Sequence, residues 1–85
     1  MAQIIITVRD KRTGITYDTE VPNDLEIDKL LDDLTQTLMG ADPSLHWNLD
    51  NTELSSPKLG RQLSRQKTLE GEGIWNGDYL FISEK

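Results

Sequence analysis

The sequence predicts an α+β fold: a mixed sheet of about four to five strands covered on one face by a single helix, in the order β-β-α-β-β-β. Three observations carry this. Strong strand signals lie at the two ends of the chain, in Gln3–Arg9 and Tyr79–Ile82. One amphipathic helix lies between them, over Glu26–Met39. A tight turn, Asn76-Gly77, delivers the chain into its closing strand.

Gln3–Arg9 is β-branched and alternates, so Ile4, Ile6 and Val8 share a buried face while Ile5 and Thr7 point away. The polar turn at 10–14 leads into Ile15–Val21, with Ile15, Tyr17, Thr19 and Val21 on one side. Pro22-Asn23-Asp24 ends that strand. Ile27, Leu30, Leu31, Leu34 and Leu38 then recur at helical spacing, and Asp24, Glu26 and Asp28 suit the positive end of the helix dipole. Gly40 is expected just past the helix and Pro43 blocks its continuation. Leu45–Leu49 predicts a third strand, with Leu45, Trp47 and Leu49 in phase. Asp50–Leu59 reads as a loop, and Arg61-Gln62-Leu63 as a short fourth strand. Leu69 and Ile74 are lone apolar residues in a Gly/Glu-rich stretch and should plug the core. Pairing the first and last strands in parallel at the centre lets one helix cover one face. The expected core is Ile4, Ile6, Val8, Val21, Ile27, Leu30, Leu34, Leu69, Ile74, Leu80 and Ile82.

The 85 residues are expected to form one domain, 1–85. The chain has no cysteine, and its net charge of −6 argues against a general nucleic-acid binder. No apolar run nears the roughly 20 residues of a membrane span, so no membrane insertion is expected. The Met-Ala-Gln-Ile start has no basic stretch of a secretory signal. A cytoplasmic protein is expected.

No constellation points to chemistry, and neither catalytic residues, metal nor cofactor are expected. His46 is the sole histidine and has no convergent partner, which fits a surface or strand histidine. Glu70 and Glu72 read as a solvated loop, with no apolar wall to shift them. Gly71-Glu72-Gly73 precedes no helix, and its acids would repel a phosphate. The candidate partner-binding residues are Ile5, Tyr79 and Phe81, on the face away from the helix, with Trp75 at the turn. Lys58, Arg61, Arg65 and Lys67, a run without an acid, would form a steering rim. The competing reading is that the Asp50–Leu59 loop folds over this face.

Gly60-Arg61-Gln62-Leu63, Thr68-Leu69, Ile74, Leu80 and Ile82 resemble the second half of ubiquitin without a gap. The hairpin, Val21-Pro22 and the Ile27/Leu30/Leu34 helix face resemble its first half, which implies a ubiquitin-like β-grasp. The chain is similar in more detail to the YukD-like (EsaB-like) bacterial ubiquitin-like family. The shared features are length, His46-Trp47 after the helix, and the Ile74–Ile82 block with its Asn-Gly-Asp turn. The longer stretch before Gly60 departs from the pattern. That resemblance implies a non-catalytic protein-interaction module, an accessory component of type VII (WXG100/ESX) secretion whose partners are proteins of that machinery. Pro57 and Ser83 match positions of ubiquitin's receptor-binding patch, and Arg61 matches its principal chain-forming lysine. The Ile82–Lys85 ending, without Gly-Gly, argues against a conjugated modifier or sulfur carrier. The alternatives kept open are a small non-catalytic β-grasp subunit of a diiron monooxygenase, a modifier or sulfur carrier lacking its Gly-Gly tail, and the N-terminal domain of a longer membrane protein.

Overall fold

A computed structural model describes residues 2–44 and 46–84. Strands β1 (Gln3–Asp10) and β2 (Thr16–Pro22) form an antiparallel hairpin, followed by helix α1 (Ile27–Ala41). Three further strands follow: β3 (Thr52–Ser56), β4 (Arg61–Gln62) and β5 (Tyr79–Glu84). The sheet order is β2-β1-β5-β3-β4, with β1 and β5 parallel at the centre. This is the ubiquitin-like β-grasp expected from the sequence.

Alternation decides what is buried. Ile4, Ile6 and Val8 of β1, Leu80 and Ile82 of β5, and Leu54 of β3 face inward. There they meet Ile27, Leu30, Leu31, Leu34 and Leu38 from one stripe of α1. Every expected core residue belongs to this one cluster, which Trp47 and Leu63 also join. Leu69 and Ile74 close it from the long connection before β5.

The helix starts without a side-chain cap. Its first amides instead reach the neighbouring segment: Ile27 N–H donates to the Lys67 carbonyl at 2.9 Å and Asp28 N–H to that of Arg65 at 3.2 Å. Unsatisfied amides at a helix start need acceptors, and here long-range carbonyls supply them. Of the acids expected near this end, Asp28 lies in the first turn. Gly40 is inside the helix rather than beyond it, and Asp42 is the C-cap.

The third strand is displaced from its expected place. Leu45 lies outside the described residues, and 46–48 carry no strand. Leu49–Asn51 is a single 3-10 turn, and β3 follows within the segment read as a loop. Trp47 is buried as expected, but from irregular backbone. The Arg12 guanidinium stacks 4.3 Å over its ring and donates to the His46 carbonyl. Glu84 accepts from Asn48 N–H at 2.7 Å and pairs with Arg12. The segment is thus pinned against one end of the sheet by side chains, with no ladder.

Candidate functional site

The sheet face away from the helix carries the candidate residues. Thr7 is level with Tyr79 and Arg9 with Phe81, so the odd-numbered residues of β1 and β5 share that face. The exposed large apolar residues among those described are Ile5 (45%), Leu59 (37%), Trp75 (63%) and Tyr79 (36%). Ile5, Trp75 and Tyr79 gather at one end of the face, and Leu59 lies at the same end of the sheet. The Ile5 carbonyl accepts from Gly77 N–H at 2.7 Å, which sets Ile5 beside the turn that bears Trp75. Leu59 lies just past β3, whose partner β5 begins at Tyr79. Phe81 is half-buried: its ring meets Tyr79 edge-on at 5.4 Å, and Lys11 Nζ lies 5.0 Å above it. The structure therefore gathers Ile5, Trp75 and Tyr79 and leaves Phe81 as their less accessible neighbour. Leu59 was missed because it falls in the supposed loop; its lone apolar side chain between Lys58 and Gly60 was the available signal. The 50–59 segment does not fold over this face, since β3 extends the sheet in its own plane.

The turn that presents Trp75 is tightly held. Gly77 has φ +88°, whereas no described non-glycine residue has a positive φ. Asp78 N–H donates to the Trp75 carbonyl at 3.1 Å, and positive φ at the third turn residue alone is the type II pattern. Asn76 thus contributes its side chain rather than a left-handed backbone, with Oδ1 accepting from Ile5 N–H at 2.7 Å. Asp78 accepts from Trp75 N–H at 2.7 Å and from Lys58 Nζ at 2.9 and 3.0 Å. Burial pulls the Asp78 carboxyl upward, but the Trp75 amide and Lys58 outweigh it, leaving it below the usual carboxylate range.

The four cations are not an uncompensated rim. Lys58 pairs with Asp78, Arg65 with Asp28, and both Arg61 and Lys67 with Glu72. Arg65 also donates to the Leu49 carbonyl at 2.6 Å, clamping the stretch before β3 to the helix. The sequence run lacks acids, but the fold brings them from elsewhere in the chain. Glu72, expected to be solvated, has a side chain only 1% exposed. One oxygen accepts from both Arg61 Nη1 and Ser64 N–H at 2.8 Å. The Arg61 hydrogen bond holds its pKa down against burial, with the Ser64 amide and Lys67 acting in the same direction.

Ser55 of β3 lies opposite Phe81 and Glu53 opposite Ser83, while Pro57 falls beyond the strand. The outer-face neighbours of Phe81 and Ser83 on β3 are therefore polar. His46 is exposed. Among the described residues, no group of three or more His, Cys, Asp or Glu side chains is placed to hold a metal.

Residues 3–82 match the family described as "WXG100 protein secretion system (Wss), protein YukD". The chain belongs to the YukD family. No curated protein matches its sequence. Among solved structures, the YukD-family chain is similar to Caldiarchaeum subterraneum ubiquitin, with TM-score 0.78 and 19% identity over 99% of this chain and 95% of that one. It is also similar to the ubiquitin-like domain of Plasmodium falciparum Dsk2, with TM-score 0.79 and 11% identity, covering 99% and 100%. A chain of the toluene 4-monooxygenase HD complex with the inhibitor 4-bromobenzoate gives TM-score 0.81 at 6% identity, covering 99% and 100%. At such identities these likenesses are likenesses of fold. The YukD match places the protein as a ubiquitin-like module of the WXG100 secretion system.

Proposed function

We propose that residues 1–85 act as one non-catalytic adaptor domain, docking on cytoplasmic protein components of the WXG100 secretion machinery through the apolar end of the outer sheet face. The observation that carries this reading is the gathering of the exposed Ile5, Trp75 and Tyr79, with Leu59 nearby, at one end of a face whose middle carries Ser55, Ser83 and Glu53 beside the half-buried Phe81. Aromatic residues standing in water with a rigid backbone beneath them are efficient anchors, because little order is lost when they are covered. The turn hydrogen bonds of Asn76 and Asp78 supply that rigidity. Lys58, half-exposed and paired with Asp78, borders the patch. Arg61, Arg65 and Lys67 serve first as internal clamps, so any steering by this group is that of paired charges and should be weak and salt-sensitive.

The test is complementation. In a strain lacking this gene, wild-type protein restores export of a WXG100 substrate. Trp75→Ala combined with Ile5→Ser should fail to restore it while keeping the wild-type thermal midpoint. Full restoration by the folded double variant would remove the apolar end from consideration.

A further inference from the structure

We infer that the free edge of β2 is a strand-addition site for an extended basic peptide segment, a backbone surface distinct from the side chains around Trp75, which it adjoins where Glu20 lies opposite Ile5. β2 is an outer strand of seven residues, paired without a bulge to β1 along its whole length. The opposite edge, β4, has two residues and offers little backbone to a partner. Asp10 N–H donates to the Ile15 carbonyl at 2.8 Å, which fixes the phase of the ladder. In an antiparallel pair, hydrogen-bonded and non-bonded positions alternate. Tyr17, Thr19 and Val21 therefore bond to β1, and the N–H and C=O groups of Thr16, Asp18 and Glu20 point away from it. Among the described residues, no second strand pairs with β2 to receive them.

Side chains select the occupant. Thr16, Asp18 and Glu20 are exposed on the outer face, while Tyr17 and Thr19 are half-buried on the inner one. In the registers of fullest overlap, two copies joined antiparallel through these edges would set Asp18 against Asp18 or against Glu20 of the other copy. Like charges directly opposed across strands are unfavourable, so the acids reject self-pairing, as edge charges commonly do. The same acids favour an incoming strand with lysine or arginine at alternate positions. Such a strand meets the free backbone groups with its own ladder, sets its cations beside Asp18 and Glu20, and turns its intervening residues toward Tyr17 and Thr19. The chain's net charge of −6 favours the same encounter at long range.

The experiment titrates the full chain, observed by amide NMR, with a seven-residue peptide alternating lysine with threonine and valine. The same peptide N-methylated at the residues whose N–H faces β2 serves as the backbone control. The expected result is perturbation and slowed exchange of the Thr16, Asp18 and Glu20 amides. Asp18→Asn/Glu20→Gln should bind about tenfold more weakly, the sum of two lost cross-strand charge pairs. N-methylation should abolish binding, and Trp75→Ala should leave it unchanged. No binding by the lysine peptide overturns the proposal. So does binding that survives N-methylation, or binding equally strong to the Asp18→Asn/Glu20→Gln protein.

Discussion

Glu72→Gln tests an acid that the fold buries against cations. The side chain is 1% exposed, and its Oε2 accepts two hydrogen bonds, from Arg61 and from Ser64 N–H. Glutamine keeps the shape and one acceptor oxygen, so Ser64 N–H can stay satisfied. That bond falls from charged to neutral strength, a loss of roughly 1 kcal/mol. The Arg61 pair is discounted because the arginine side chain is 50% exposed, and contributes about 0.5–1 kcal/mol. The new amide also faces Lys67 Nζ, which stands 3.8 Å from the other carboxylate oxygen. The expected cost is about 2 kcal/mol, or about 8–16 °C in thermal midpoint for a domain of this size. The pH dependence provides a second readout. The folded pKa of Glu72 lies below its ordinary 4.5, so its stabilisation is present above that value and lost as pH falls through the folded pKa. Wild type should therefore lose stability in acid more steeply than Glu72→Gln. Urea denaturation at neutral and acid pH measures both. A variant within about 0.3 kcal/mol of wild type at neutral pH, or one with an unchanged acid slope, would refute the argument, because neither fits a carboxylate held by Arg61 and Ser64.

Three further outcomes follow from single sites. Leu34→Ala should destabilise by about 2–5 kcal/mol in chemical denaturation, since Leu34 is 2% exposed at the centre of the helix–sheet interface. Tyr17→Phe should leave stability unchanged or raise it by up to about 1 kcal/mol, because the hydroxyl is buried without a hydrogen-bond partner. Burial, then the nearby Asp10 charge, pushes the Tyr17 pKa up to about 12, so an ultraviolet titration should lose its late-ionising tyrosine in that variant. In wild type the neutral phenol's contribution is present below the unfolded value of 10 and lost as pH rises toward 12. Gly77→Ala should cost about 1–2 kcal/mol in thermal denaturation from backbone strain alone, since φ is +88° and nothing lies within 4 Å of an added Cβ.

What the sequence made legible follows from periodicity. The β1 and β5 alternation and the helix stripe have strong apolar phase, and their inward residues are the ones buried. β3 had no such signal. Its inward positions are Thr52, Leu54 and Ser56, of which one is apolar. It is a strand because β5 needs a neighbour, and small polar side chains fit beneath it: Thr52 Oγ1 donates to the Asn48 carbonyl, and Ser56 Oγ accepts from Leu59 N–H. The Leu-His-Trp-Asn-Leu stretch has the better pattern, but Trp47 is buried by Arg12 stacking rather than by pairing. Glu72 was misread for a related reason. Its partners are eight and eleven residues away in sequence and meet it only through the fold. The exposed cluster was legible at Ile5, Trp75 and Tyr79, where strand phase and turn chemistry suffice. It was not legible at Leu59, which required the position of β3.

The register of β3 also decides what the middle of the outer face offers. The resemblance to ubiquitin directs attention to the middle of the outer face, yet the residues brought there by pairing are Ser55, Ser83 and Glu53. A partner that grips apolar side chains in the middle of such a face meets hydroxyls and a carboxylate here, which keep their water at little cost. Phe81 is the exception, and Tyr79 and Lys11 already occupy parts of its surroundings. The exposed apolar area lies instead around the Trp75–Asp78 turn, which depends on Asn76 and on the Lys58–Asp78 pair for its shape. In the docking proposed for this module, recognition therefore moves from the strands to a turn fastened onto them. Loss of Asn76 or Asp78 should then weaken partner binding more than loss of Ser55 or Ser83, even though the serines lie nearer the middle of the sheet.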